Sequence, residues 1–342
     1  MQKIYAVVLT YNRKELLERC LRAVYAQTRP CDGVIVVDNA STDGTEQMLQ
    51  SAAFPGLKFF VLSKNVGAAG GFNAGFRLAY QQGADYVWMM DDDVIPDPDA
   101  LEQLTNAESL LNRKEVDHSF VLSTAFTEEG EITNSPDCDH RLNKMGYEGW
   151  PALVEHGMVP VSRATFVSIL VPRHVLQEHG VPMAAMYIWG EDSEFTTRIS
   201  RKAPGFLVGS SKVQHLRQKG GTLSILTEEN PARIRYHRHF IRNQAYMLRK
   251  YGRTRKLVTF TWRQLRLSSK LMVAGEFTKA FVVMQGLFSS FGFNPNIEAA
   301  DAPLETLGIT VSSPFIPAVP ETRDFAPREI EVPQMVGVLQ SA

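Results

Sequence analysis

The sequence predicts an α/β protein in which a mostly parallel sheet is flanked by helices and followed by a helical C-terminal region. Two observations carry that expectation. Over the first 125 residues, short β-branched runs alternate with stretches of helical period, and the runs are continuously apolar, as strands covered on both faces are. After each of the first four runs stands a polar cluster, in the place where parallel sheets bind their ligands.

The elements follow in order. IYAVVL (4–9) is a short buried strand. YNRKELLERCLRAVYAQ then places Leu16, Leu17, Cys20, Leu21, Val24 and Tyr25 at helical spacing, and Asn12 with Glu15 has the spacing of a capping box. GVIVVD (33–38) is the second strand and TDGTEQMLQSA the second helix. LKFFVL (57–62) is the third strand, and GAAGGFNAGFRLAYQQG a glycine-rich entry into a helix. ADYVWMM (84–90) is the fourth strand and runs into Asp91, Asp92 and Asp93. Further on, RATFVSILVPR (163–173) reads as a strand, YIWGEDSEFTTRISRKA (187–203) as an apolar stub and a helix, and GFLVGSSKVQH (205–215) as a strand ending at His215. Residues 229–251 and 253–292 carry basic helical patterns. The last ~45 residues repeat proline without a period and read as an irregular or partly disordered tail.

Composition narrows the class. The 342 residues, 44% of them hydrophobic, suffice for one large α/β domain or two smaller ones with a real core. A formal net charge of -1 gives no bulk attraction to nucleic acid or membrane. Cys20, Cys31 and Cys138 have no metal-ligand spacing, which argues against a zinc site or disulfide framework and for a reducing compartment. The start lacks the features of a signal peptide, and no uncharged apolar run reaches about 18 residues, so no membrane-spanning helix is expected. Charge is nevertheless uneven. Arg233 to Lys279 holds thirteen Lys/Arg against Glu276 alone, whereas Ile297 to the end holds seven acidic residues against two Arg.

Three adjacent carboxylates repel one another unless a cation sits among them. Alternate side chains of an extended segment share a side, so Asp91 and Asp93 are expected to hold one partner while Asp92 faces elsewhere. Two carboxylates and a few waters suit Mn²⁺ or Mg²⁺, which also take phosphate oxygens. A diphosphate bridged to the protein through the metal is then a natural ligand.

VVLTYNR, VVDNASTDGT, NVGAAGGFNAGF, WMMDDDVIP and WGEDSEFTTR stand in the order and spacing of family 2 glycosyltransferases of the GT-A fold, which the chain resembles over about residues 3–220. RYHRHFIRN (235–243) resembles the rhamnosyl- and galactofuranosyltransferase branch. The resemblance implies a metal-dependent, inverting enzyme. Its donor would be a UDP- or dTDP-sugar, with galactofuranose or rhamnose favoured. Its acceptor would be a hydroxyl of a glycan or lipid-linked glycan in bacterial surface polysaccharide synthesis. The implied division is a GT-A nucleotide-sugar-binding catalytic domain over 1–225, a basic helical region over 226–295 and a proline-rich acidic tail over 296–342.

Roles follow residue by residue from the same resemblance. Thr10, Asn12 and Asp38 match the nucleoside pocket, and Asn65, Gly70 and Gly71 the segment beside the donor. Asp91 and Asp93 match the metal motif, with Asp93 the direct ligand and His215 in the place of a third ligand. Asp91, Asp92 and Trp189 also fall in the donor-contacting set. Asp192 matches the single general base that inversion requires, with a pKa open to elevation by Glu191, Glu194 and burial near Trp189. Arg242, with Asn243, stands either for a contact to diphosphate or acceptor or for a solvated basic helix face.

The stretch 253–288 mixes Leu, Val, Phe and Trp262 with Arg and Lys, a pattern suited to an anionic membrane interface. Packing within the protein or on a second copy, as a homo-oligomer, is the equal alternative. The expected location is cytoplasmic, with or without peripheral contact at the inner face of the membrane, and no nucleic-acid motif is present. Two other functions compete. A sugar nucleotidyltransferase would carry a glycine-rich phosphate loop after strand one, where TYNRKELL has no glycine. A non-catalytic scaffold of the same fold would be favoured by loss of Asp93 or Asp192, and both are present.

Overall fold

The computed structural model describes residues 2–51, 54–216 and 223–313. Its first half alternates β1 (Ile4–Thr10), α1 (Lys14–Tyr25), β2 (Gly33–Asp38), α2 (Thr45–Ser51), β3 (Leu57–Leu62), α3 (Gly67–Gln81) and β4 (Tyr86–Asp91). Then come β5 (Val94–Pro96), α4 (Ala100–Arg113), β6 (Phe120–Phe126) and the short β7 (Ile132–Thr133) and β8 (Asp137–Cys138). β9 (Met158–Arg163), β10 (Ile169–Pro172), α5 (Arg173–His179), α6 (Glu191–Ser200) and β11 (Gly205–His215) complete the α/β part. Three helices follow, α7 (Pro231–Lys250), α8 (Thr254–Val273) and α9 (Phe277–Phe291), and β12 (Val311–Ser312) comes last.

One sheet runs through the molecule in the order β12-β3-β2-β1-β4-β10-β6-β11-β9-β8. β3, β2, β1 and β4 are parallel, as the continuous apolar runs require, and β10 enters antiparallel beside β4. The result is an α/β fold of the expected kind, a mixed sheet with a parallel β3-β2-β1-β4 half, covered by helices. Two apolar layers hold it, one centred on Leu17, Leu21, Trp88 and Leu104, the other on Val7, Phe76, Phe166 and Phe195.

Three expectations are corrected. The strand expected over 163–173 breaks at 164–168, where Ser168 takes φ +58 and Phe166 turns inward to meet the rings of Phe72, Phe76 and Phe195. The pattern over 253–292 splits into α8 and α9 at Gly275, whose φ of +77 suits glycine. The tail does not begin at 296 in packing terms. Ala300 and Ile309 are buried, β12 pairs antiparallel with β3, and the buried Arg77 guanidinium donates to the Pro303 carbonyl (3.0 Å) and Thr306 hydroxyl (2.7 Å). The remainder of the expected tail, 314–342, lies outside the described residues.

The three C-terminal helices form their own core around Ile241, Leu271, Val283 and Leu287. α7 joins them to the sheet domain through Tyr246, which packs with Ala69, Met183 and Met186. Among the described residues no helix is long and apolar enough to cross a membrane.

Candidate functional site at the carboxyl ends of the strands

β1, β2 and β4 run in parallel register, so Thr10 lies beside Asp38 and Leu9 beside Asp91. That register alone brings three polar strand ends into one row. β5 then pairs with β11, setting Val94 opposite His215, and the Leu216 amide donates to the Asp93 carbonyl at 2.8 Å. The triplet and His215 are therefore adjacent because of sheet pairing, across more than a hundred residues of chain.

The triplet does not alternate as an extended segment would. β4 ends at Asp91 and the chain turns at Asp92 and Asp93, so both side chains reach one partner, Arg13. Its Nη1 lies 3.2 Å from Asp92 Oδ1 and 2.7 Å from Asp93 Oδ2. The Thr10 hydroxyl donates to Asp92 Oδ2 at 2.7 Å. Asp92 thus faces inward as a structural acid, correcting the expectation that it points away, and Thr10 spends its proton there. Burial pushes Asp92 up to about 6, against the pull of Arg13. Burial and the neighbouring Asp93 and Asp92 charges push Asp91 well above the ordinary range. Asp93 goes the other way: burial opposes its charge, but His215 and Arg13 outweigh it and hold the carboxyl below the usual range.

His215 Nε2 lies 3.3 Å from Asp93 Oδ1, close enough for an ion pair but outside hydrogen-bond geometry. Oδ1 is therefore a buried carboxylate oxygen without a hydrogen-bond partner, an arrangement that is costly unless a ligand completes it. Nδ1 of His215 meets the Asn134 carboxamide oxygen at 2.8 Å. That acceptor holds a ring proton on Nδ1 and so fixes Nε2 as the ring atom that faces Asp93. Asp93 and His215 fit a hard divalent cation whose other positions go to water or phosphate oxygens. Among the described residues no three His, Cys, Asp or Glu side chains already surround one metal position, so Asp91 is not drawn into a ready-made triad.

The nucleoside-side residues are partly architectural. The Asn12 carboxamide oxygen accepts from the Thr42 amide (2.7 Å), while its own amide donates to the Ser41 hydroxyl (2.9 Å). Asn12 makes no capping box with Glu15. The α1 start is served instead by Asp43, which accepts from the Lys14 amide at 3.0 Å, because the loop after β2 lies alongside. Asp38 is fully buried. Oδ1 accepts from the Ser41 amide at 2.8 Å, Oδ2 has no partner, and burial raises the pKa.

The glycine-rich entry does its work one turn earlier than expected. A Cβ on Gly70 would stand 2.5 Å from Val66 Cγ2 and one on Gly71 2.3 Å from Leu9 Cδ1. Both glycines are buried, Gly71 against β1 and Gly70 against the residue that opens its own helix. Gly67 has φ +76, and a Cβ there would stand 2.1 Å from the Tyr187 carbonyl oxygen. That missing side chain lets the 186–190 loop sit on the start of α3, where the Ala69 amide donates to the Tyr187 carbonyl (3.0 Å). Asn65 supports the turn by accepting from the Gly67 amide at 2.8 Å.

The same loop carries the acidic helix start. Tyr187 and Trp189 both have positive φ (65° and 60°), a conformation that needs outside support. Asn243 supplies it: its fully buried side-chain amide donates to the carbonyls of Met186 (3.0 Å), Ile188 (3.1 Å) and Trp189 (3.2 Å). Arg242 donates to the Ala185 and Met186 carbonyls and stacks over Phe293 at 3.9 Å. Arg242 and Asn243 thus hold the loop, which corrects the expectation of a solvated basic face. Trp189 packs on Tyr236 and His237 of α7.

At the start of α6 the Asp192 Oδ1 accepts from the Ser193 amide at 2.5 Å, yet burial leaves its pKa raised. Glu191 is buried with Oε2 unpartnered, and desolvation together with Asp192 pushes it up to about 8. Its charge also bears on Asp91, so the two acidic motifs share one electrostatic environment. Glu194 faces away, held bidentately by Arg198 (2.9 and 3.0 Å) and by the Tyr251 hydroxyl (2.5 Å). It fixes α6.

Sequence reasoning missed Arg13 as a site-builder and named Glu191 only as a neighbour of Asp192. The signal for Arg13 was available in the first cation after strand one.

Residues 5–119, a third of the chain, match the model of the glycosyl transferase family 2. Over those residues the chain carries a glycosyl transferase family 2 domain. It is similar to the galactofuranosyltransferase GlfT1 of Mycolicibacterium smegmatis, 39% identical over 93 residues, covering 27% of this chain and 30% of that protein. Its likeness to GlfT1 of Mycobacterium tuberculosis is 40% over 93 residues, covering 27% and 31%. The chain thus spans under a third of the length of these curated relatives. The crystal structure of Staphylococcus aureus TarS residues 1–349 superimposes with a TM-score of 0.48 and 15% identity, covering 85% of this chain and 90% of that one.

Proposed function

We propose that the protein is a metal-dependent, inverting glycosyltransferase that moves a sugar from a UDP- or dTDP-sugar to a hydroxyl of a glycan or lipid-linked glycan. Galactofuranose is favoured over rhamnose by the named relatives. One observation carries the reading. The buried Asp93 Oδ1, which accepts no hydrogen bond, faces His215 Nε2 at 3.3 Å, at the ends of parallel strands where Asp38 offers a second carboxylate oxygen without a hydrogen bond.

In this reading Asp38 Oδ2 accepts from an N–H of the pyrimidine base. Asp93 and His215 hold Mn²⁺ or Mg²⁺, which when bound would stabilise the charge on the departing diphosphate. Asp192, raised by burial, takes the proton of the acceptor hydroxyl near neutral pH. The acceptor oxygen bonds to the anomeric carbon as the bond to the diphosphate breaks on the opposite face. Asn243 and Gly67 position Asp192 by fixing its loop.

The test is a donor screen following nucleoside diphosphate release from UDP- and dTDP-sugars with Mn²⁺. Turnover of one donor, lost in both Asp93→Ala and Asp192→Asn, is the expected result. Full activity in either variant sinks the assignment of that residue, and absence of turnover or binding for every nucleotide sugar sinks the function.

A further inference from the structure

The α8–α9 hairpin presents an apolar face that no other part of the described residues covers. On α9, Phe277, Phe281, Phe288 and Phe291 recur at spacings that keep one helical face, with half-buried Met284 between them. Phe281, Phe288 and Phe291 are 69%, 67% and 77% exposed. On α8, Val258, Trp262, Leu265 and Met272 repeat the pattern, with Trp262 61% exposed.

The two stripes share a side. The seam between the helices runs through Ser268, whose hydroxyl donates to the Ala280 carbonyl at 3.2 Å. Each stripe lies about a quarter turn past its seam residues in chain direction, and in an antiparallel hairpin those offsets fall on the same face. α7 lies on the other side: a Cβ on Gly286 would stand 2.8 Å from Ile241 and 2.9 Å from the Arg238 carbonyl oxygen. The face is thus turned away from the core it might have joined.

Charge decides what covers it. Arg253, Arg255, Lys256, Arg263, Arg266 and Lys270 are exposed on α8, and among the described residues none pairs with a carboxylate. Between Arg253 and Phe291 stand seven basic residues and one acid, Glu276. A second copy docked face to face by a two-fold axis would set these cations against their own images. An anionic bilayer surface accepts both features, taking Phe and Trp side chains at the headgroup boundary and Lys and Arg at its phosphates.

We infer that the α8–α9 hairpin docks the protein on an anionic lipid surface. The inference rests on the proposed transfer only in what it adds to it. α7 ties the hairpin through the Ile241 core and clamps the Asp192 loop through Asn243, so docking sets the height of the site above a lipid-borne acceptor.

Sedimentation of the full chain with vesicles tests this, using phosphatidylcholine alone and mixed phosphatidylglycerol–phosphatidylcholine. Wild type is expected to sediment with the mixed vesicles only, less so as salt rises, with a blue shift of emission that a Trp262→Phe variant loses. Phe281→Ser/Phe288→Ser is expected to abolish binding, and Arg255→Glu/Arg263→Glu/Arg266→Glu to weaken it about a hundredfold or more. Circular dichroism verifies that each variant is folded, and donor turnover in solution stays at wild-type level. No binding to anionic vesicles overturns the inference. So does binding indifferent to the Phe variants, or a concentration-dependent dimer that Phe281→Ser dissolves. Failure of donor turnover with vesicle binding intact would strike the proposed function and leave the docking surface standing.

Discussion

Arg13 is the cation that makes the Asp triplet tolerable. Its guanidinium offsets two buried carboxylates that would otherwise leave charge uncompensated. A divalent cation at Asp93 would relieve the same repulsion. Arg13→Ala should therefore lower unfolding stability by about 1–3 kcal/mol in chelator, and by less with Mn²⁺ and a nucleoside diphosphate present. Equal losses in both conditions, read by denaturant unfolding, would contradict this. Glu191 gives a pH signature. Its folded pKa of about 8 lies above its ordinary value near 4.5. Such a group contributes stability fully below the lower value and loses it as pH rises to the higher one. Glu191→Gln, neutral throughout, should gain in melting temperature relative to wild type between those limits and plateau above them. A constant difference across pH would show that Glu191 is not buried as a shifted acid. Aspartates 91–93, Asp38, Asp192 and His215 were legible because motifs name them. Arg13 was not, since its meaning arises only when the turn after β4 brings Asp92 to it.

Among the elements, α3 and the 186–190 loop form one joint. Gly71→Ala meets a Leu9 methyl, which can move, and should cost about 1–3 kcal/mol. Gly67→Ala meets the Tyr187 carbonyl oxygen from a backbone with φ +76 and should cost more, because neither can yield. The reverse ranking in urea unfolding would refute this division of labour between the glycines. Asn243→Ala removes three donations to strained carbonyls. It should lower kcat while leaving the KM for donor within about twofold, since the loop it fixes carries the base and not the nucleotide pocket. A change in KM alone would place Asn243 on the donor side. Strand periods exposed β1 to β4 and β11 in the sequence. The break at 164–168 stayed hidden because Phe166 answers to three rings from α3 and α6 rather than to its neighbours.

At the scale of the whole molecule, the sheet edge and the helical region were the least legible parts. β12 closes on β3 across about 250 residues of sequence, and Arg77, buried mid-helix, donates through Nη1 to the Pro303 carbonyl ahead of that strand while its Nε and Nη2 have no partner. No local pattern announces such a contact. Basic amphipathic periodicity over 253–288 was readable, but only the fold shows which apolar positions remain uncovered. We propose that the ends of β1, β2 and β4, with His215, form a metal-dependent nucleotide site. Calorimetric titration of UDP and dTDP into the protein, with Mn²⁺ and then with chelator, tests it most directly, with Asp93→Asn alongside. Binding of one nucleotide that requires the metal and disappears in the variant is the expected result. Binding that persists unchanged in chelator, or in Asp93→Asn, would contradict it.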